Sequence, residues 1–290
     1  MTSQSAPARN KSSIRWMLRF PWIPMIILFM VFSSALLGPI ITPHKHGALN
    51  LGLAMKPPFW QENGSMSYPL GTDNMGRDIL SRIIMGARIT AIVALWAIPF
   101  SGAIGALMGM IAGYFGGKID MLIMRLVDIQ MSVPSLALAL ILAASLKPGV
   151  ATVIIVIVVT YWTWYARIVR GEVLSLKERD FIALARVAGC SAWSILLKHF
   201  LPNIFNTLLV LATLQLGSVI TYEASLSFLG LGIQPPDVSW GLMLADARPY
   251  ITVAWWVIAL PGLAIVITCL GSNLFGDWLR DTLDPKRRQL

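Results

Sequence analysis

Long runs without a charged side chain alternate with short polar stretches along this 290-residue chain. Residues 20–43, 89–117, 129–146, 148–166, 199–222 and 249–276 contain no Asp, Glu, Lys or Arg. A helix rises about 1.5 Å per residue, so crossing about 30 Å of hydrocarbon takes about 20 apolar residues. Each run therefore predicts one spanning helix, six in all. A seventh charge-free stretch, 224–236, is too short to span and carries Gly230, Gly232, Pro235 and Pro236, which predicts a loop or a short interfacial piece. The first run is longer than a signal-peptide core of about 7–15 residues, and no small-x-small cleavage site follows it. It is predicted to remain as a helix.

This pattern divides the chain into a tail over 1–20, a first spanning helix over 21–43 and a polar loop over 44–88. A five-helix core follows over 89–276, interrupted by a loop at about 167–202, and a tail over 277–290 closes the chain. Pro99, Pro134 and Pro261 fall inside spans, where each removes a backbone donor and favours a kink. Gly105, Gly109 and Gly113 are four residues apart, so they share one helix face and predict close packing against a neighbouring backbone.

Composition excludes an ordinary soluble domain. The chain is 56% hydrophobic and 13% charged, against about 25% charged in a typical soluble protein. The net charge of +9 raises nucleic-acid binding as a reading, but its distribution answers that. With the N-terminus inside, sixteen of the 23 basic residues fall in cytoplasmic segments. They include Arg9, Lys11, Arg15 and Arg19 in the first tail, Arg167 to Lys198 in the long inner loop, and Lys286, Arg287 and Arg288 in the last tail. The positive-inside bias predicts N-in, C-in and explains the charge without nucleic acid.

Candidate chemistry is sparse. Cys190 and Cys269 are too few for a disulfide framework. His44 and His46 read as solvated loop residues rather than metal ligands, and no metal site is expected. Gly116-Gly117-Lys118 is the nearest approach to a phosphate-binding loop, but Ala112 and Ile119 stand where Gly and Ser or Thr are required. There is no HExxH and no GxSxG. Asp128 lies three residues after Arg125, which predicts an ion pair on one helix face. Glu223, at the outer end of the fifth span, reads as a structural anchor, with a pathway role as the alternative. In the outer loop, Asp73, Arg77, Asp78 and Arg82 fit either a rigid cap that helps dock a partner or a self-satisfied turn in which Asp73 caps the following helix.

The inner loop is predicted to be helical from about Arg170 to Ala188, to break near Gly189 and to resume toward His199. Ala185, Ala188 or Gly189, and Ala192 form a face of small residues. That face suits either a groove on a partner or the membrane surface.

Residues 180–203, DFIALARVAGCSAWSILLKHFLPN, resemble the cytoplasmic signature loop of ABC-importer permeases. Ala185, Arg186, Gly189 and Leu201-Pro202 match the pattern. Ala183 stands where that family usually has Glu, and Leu184 where it often has Ala. Residues 70–82, LGTDNMGRDILSR, resemble the outer-loop motif of the dipeptide/oligopeptide/nickel subfamily, with Gly71, Asp73, Gly76, Arg77, Asp78 and Arg82 at motif positions. Residues 225–248 and 273–285 are similar to two further segments of that subfamily, Trp278 replacing a common Gly. With AGYFGG at 112–117, the resemblance runs from about residue 70 to the end and points to the C-type permease.

The resemblance implies an all-α type I importer permease of six transmembrane helices in a prokaryotic plasma membrane. It implies a homologous B-type permease partner, two cytoplasmic ATPases and an extracytoplasmic binding protein. The 180–202 loop, with Asp180 at its start, would be the coupling element, and the cargo would be peptides, nickel chelates or related solutes. ATP and Mg would be used by the ATPases, so this chain would need no cofactor and would not be an enzyme. An ion-driven secondary carrier is the rival reading. It predicts inverted repeats and broken or charged midplane helices, and neither is evident in the sequence.

Overall fold

The computed structural model describes residues 21–283. The tail 1–20 and residues 284–290, with the basic residues assigned to them and Pro285, lie outside the described residues. The described chain is built from helices: α1 Trp22–Ile41, α2 Ile79–Phe115, α3 Gly117–Ser132, α4 Ser135–Ala144, α5 Val150–Lys177, α6 Asp180–Val187, α7 Ala192–Ile195, α8 Leu201–Phe228, α9 Trp240–Ala247 and α10 Trp256–Leu283. One π turn, Leu196–Phe200, joins α7 to α8.

Five elements are long and apolar enough to cross a membrane: α1, α2, α5, the unit Ala192–Phe228 and α10. The run predicted at 129–146 is not a straight sixth span. It is the pair α3–α4, bent by 90° at residues 133–134, and it makes a sixth span when counted as one. The cause is local. The ring of Pro134 disfavours helical backbone at the preceding residue, and Val133 is extended at φ −88°, ψ 133°. Pro99 and Pro261 lie within α2 and α10, which run on through them.

Helix α2 begins at Ile79, ten residues before the charge-free run at 89. A charge criterion misses this start because two arginines interrupt the run: Arg88, which is exposed, and Arg82, which is only 2% exposed and is matched by carboxylates. Asp78, not Asp73, caps the helix: its carboxylate accepts from Ser81 N at 3.0 Å and Ser81 Oγ at 2.6 Å. Likewise α8 extends past Glu223 to Phe228, so the stretch 224–236 is part helix and part loop.

Packing explains the glycines. A Cβ on Gly105 would stand 2.3 Å from the Trp162 carbonyl oxygen, one on Gly109 2.6 Å from that of Ala166, and one on Gly113 2.8 Å from Val173 Cγ1. The three glycines thus let α2 and α5 approach backbone to backbone. Three apolar clusters stack along the bundle. The central one joins Val93 and Ala97 of α2 to Val153, Val156 and Ile157 of α5 and Val219 of α8. The cluster at one end centres on Ile79, Trp240, Met243 and Trp256. The cluster at the other end centres on Met110, Val173, Ile182, Ile195, Leu196 and Phe200. The described chain starts and finishes at this second end. There Gly116 and Gly117, at φ +65° and +54°, turn α2 back into α3.

Ion pairs fasten α3 to α5. Arg170 donates through Nε and Nη2 to the two oxygens of Asp120, at 2.5 and 2.6 Å. Asp128 pairs with Arg167 of α5 rather than with Arg125, so the partner comes from the neighbouring helix and not from the same face.

Candidate functional site

The 178–200 segment is a rigid projection. Lys177, at the end of α5, donates through Nζ to the Tyr114 carbonyl at 2.8 Å, placing a cation on the C-terminal end of α2. Glu178 and Arg179 interrupt the helix, a break that the prediction of continuous helix over 170–188 did not contain. Asp180 opens α6, where its charge suits the helix N-terminus. At the other end Gly189 N donates to Arg186 O at 3.0 Å and Cys190 N to Ala185 O at 3.1 Å. This is a Schellman closure, and Gly189 occupies its left-handed position at φ +77°. A Cβ there would meet nothing within 4 Å, so backbone conformation alone selects glycine. Ser191 then caps α7, accepting from Ser194 N at 3.3 Å. Pro202 sits in the first turn of α8.

The faces of α6 are distributed differently from the small-residue stripe read from spacing. Ile182 and Ala185 turn inward onto Val169, Val173, Ile195 and Phe200. Arg186 lays its guanidinium over the Tyr114 ring, 5.4 Å from the centroid. The outward face is large and apolar: Leu184 is 68% exposed, Val187 88% and Trp193 56%. Ala183, in the place of the usual glutamate, is exposed beside them. Spacing pointed to a helix here, but which side faces the body is decided by its packing against α5 and the Leu196–Phe200 turn.

At the opposite end the 71–82 motif folds into a buried ionic network. Asp73 Oδ1 accepts from Met75 N at 2.8 Å and Arg77 N at 2.9 Å. Its Oδ2 accepts from Arg77 Nε at 2.6 Å and from Arg82 Nη1. Asp246 of α9 accepts from both arginines, at 3.0 and 3.2 Å. Two cations thus face two carboxylates. Asp246 was not among the residues singled out from sequence; two arginines around the single carboxylate of Asp73 were the available signal that a second was needed. Gly71 and Gly76 have φ of +79° and +72°, and a Cβ on Gly76 would lie 1.8 Å from the Asn50 carbonyl oxygen. His44 stacks on Tyr68 and brings Nδ1 to 3.5 Å from Asp78. No group of three metal-ligating side chains occurs among the described residues.

Glu223 is completely buried. Its Oε1 accepts from Ser227 Oγ at 2.8 Å, and the same hydroxyl accepts from Ile233 N at 3.0 Å. The carboxyl therefore joins α8 to the loop that follows it.

A polar seam runs between α5 and α8. In its middle Tyr161 and Tyr222 meet edge to face with centroids 5.1 Å apart, and the Tyr222 hydroxyl donates to Ser135 at the start of α4. Ser218 and Thr221 are exposed and Ser225 is half-buried along the same side of α8. Toward the 178–200 end the seam widens into a cavity of about 770 Å³, lined by Glu172, Arg179, Asn203, Asn206, Thr207 and Arg280 among others.

Residues 105–289 match the family described as "Binding-protein-dependent transport system inner membrane component". The chain is 41% identical over 262 residues to the di/tripeptide transport system permease protein DppC of Pseudomonas aeruginosa, covering 90% of this chain and 86% of that one. It is 38% identical to the oligopeptide transport system permease protein OppC of Bacillus subtilis, covering 97% and 92%. It is 36% identical to the probable D,D-dipeptide transport system permease protein DdpC of Escherichia coli, covering 96% and 92%. A chain of the MetNI methionine ABC transporter, solved in an inward facing conformation, shares the fold at 20% identity. The TM-score is 0.56 over 70% of this chain and 97% of that chain. The fold, the spans and these relatives agree: the chain belongs to the binding-protein-dependent transport system inner membrane component family, the multi-pass permease component of ATP-driven importers.

Proposed function

We propose that this chain is the C-type permease of a peptide importer and builds the translocation pathway together with a homologous B-type permease. The observation that carries the reading is the 178–200 projection. It is held rigid from within by Ile182, Ala185 and the Gly189 closure, yet presents Leu184, Val187 and Trp193 to the outside. An exposed apolar face on a rigid stem is suited to a protein partner. In an importer that partner is an ATPase, which binds ATP and Mg while this chain transmits the motion. The 178–200 end is then cytoplasmic, and both tails with it. The 44–78 and 229–255 segments face the binding protein on the other side. The relatives' peptide substrates support peptides as the cargo.

The pathway wall is the α5–α8 seam with the broken pair α3–α4. Irregular backbone and exposed hydroxyls at membrane depth are tolerated where protein covers them or water fills a cavity, not against lipid tails. The bend at 133–134, the exposed Ser135, Ser218 and Thr221, and the half-buried Ser225 lie on this side. Glu223, enclosed away from the seam, serves as an anchor.

The test is purification of the tagged chain from its native membrane in mild detergent, followed by reconstitution. Recovery of a second permease and P-loop ATPases, with ATP-dependent peptide uptake once the binding protein is added, is the expected result. A chain that purifies alone and transports without ATP defeats the reading.

A further inference from the structure

The cavity at the cytoplasmic end of the seam carries charge of both signs. Glu172 lies on α5, its Oε1 accepting from the Thr207 hydroxyl of α8 at 2.5 Å. Arg179 follows α5, and Arg280 comes from the last turn of α10. Neither arginine forms an ion pair among the described residues. Between the charges stand the side-chain amides of Asn203 and Asn206 and an apolar floor that includes Leu211 and Leu214.

We propose that this cavity binds the zwitterionic form of a short peptide, with Glu172 taking the N-terminal ammonium and Arg179 and Arg280 taking the C-terminal carboxylate. The inference rests on the peptide-import reading and names the contacts through which the pathway recognises its cargo. Three features carry it. Charge comes first: one carboxylate and two guanidinium groups that form no ion pair among the described residues share one cavity and match a molecule with one ammonium and one carboxylate, and guanidinium is suited to bidentate carboxylate binding. Spacing comes second. Glu172 lies five residues before the end of α5, about 7.5 Å along its axis at about 1.5 Å per residue, and Arg179 stands two residues past that end, which brings the separation to about 10 Å. An extended tripeptide spans about the same length, at about 3.3–3.6 Å per residue. Shape comes third. The cavity lies in the range of about 300–1,000 Å³ typical of small-molecule sites. Its amides can hydrogen-bond a peptide main chain, which is common to all sequences, and its leucines accept side chains without selecting among them.

The experiment uses the assembled permease–ATPase complex in nanodiscs of neutral phosphatidylcholine, without nucleotide or binding protein. Binding of trialanine, N-acetyl-trialanine and trialanine amide is followed by saturation-transfer NMR. The expected result is that each capped peptide binds at least about 5-fold more weakly than trialanine, the worth of about 1 kcal/mol per charged contact. Glu172→Gln removes the preference for trialanine over the acetylated peptide and retains the preference over the amide; Glu172→Asp retains both. The double variant Arg179→Gln/Arg280→Gln does the converse, so the proposal does not depend on one variant folding. Equal binding of all three peptides by the wild type overturns the site, as does an undiminished preference in Glu172→Gln. So does displacement of trialanine by anionic phosphatidylglycerol added to the nanodisc, which would make the arginines a lipid-headgroup contact. ATP-driven trialanine uptake by the full importer is measured alongside. Uptake with equal binding rejects the site and keeps the peptide importer, whereas absence of uptake of any peptide rejects the importer reading itself.

Discussion

The two ends of the bundle treat polarity in opposite ways. At the 71–82 end, charge is taken inside: Arg82 and Asp73 are nearly solvent-free, and Arg77 and Asp246 complete the set. At the 178–200 end, charge remains at the surface and large apolar side chains point out, Val187 most of all. A buried ionic set contributes little net stability over an apolar core but fails badly when one member is lost. An exposed apolar face contributes nothing until something covers it. The first end is therefore complete within the chain and acts as a fixed cap on α2, α9 and α10. The second end is unfinished and fits a role that requires another protein.

Substitutions can break this contrast, and their effects on unfolding should fall in a definite order. Arg82→Met is expected to be the most damaging, since it leaves Asp73 and Asp246 with one arginine between them. A loss of about 3–5 kcal/mol follows from removing one member of a buried charge set, read as a large drop in the thermal midpoint in detergent. Gly109→Ala comes next. Its Cβ would press on the Ala166 carbonyl oxygen and the α5 backbone, at a cost of about 1–3 kcal/mol or more for overpacking, read in the same assay. Gly189→Val strains one left-handed residue by about 1–2 kcal/mol, whereas Gly189→Asn is tolerated. Co-purification of the ATPase should separate these two variants more sharply than the thermal midpoint does. Val187→Asp should leave the midpoint within about 0.5 kcal/mol of wild type while weakening ATPase association at least tenfold in a titration. Asp128→Asn should be the mildest overall: its pair with Arg167 is exposed on both sides, such pairs contribute about 0–1 kcal/mol, and ATPase association should be unchanged. A collapse of folding in Val187→Asp, or a stable Arg82→Met, would erase the distinction between the ends.

Legibility followed the same division. The spans were readable because hydrocarbon imposes a length and forbids charge, and five of the six runs correspond to single long helices. The third run corresponds to a bent pair rather than one straight helix, because hydropathy counts residues and not direction; Val133-Pro134 turns the chain through 90° without changing its hydropathy. The start of α2 was hidden behind two arginines, the exposed Arg88 and Arg82, the latter a charge matched by Asp246 from 164 residues away. Gly71, Gly76 and Gly189 stood out as motif positions, and each has a positive φ that favours glycine. The inward turn of Ala185 was not legible, since periodicity fixes which residues share a face and not what that face meets.

The sequence by itself determined the membrane class, the number of hydrophobic runs, the close-packing face of Gly105, Gly109 and Gly113, and the family, because each is written in local composition or spacing. Only the tertiary structure decided which carboxylate completes the Arg77–Arg82 pair, that Arg167 rather than Arg125 meets Asp128, and that Glu172, Arg179 and Arg280 share one cavity. Those are relations between helices far apart in the chain. They are set by the angles at which the helices pack, which no single segment encodes.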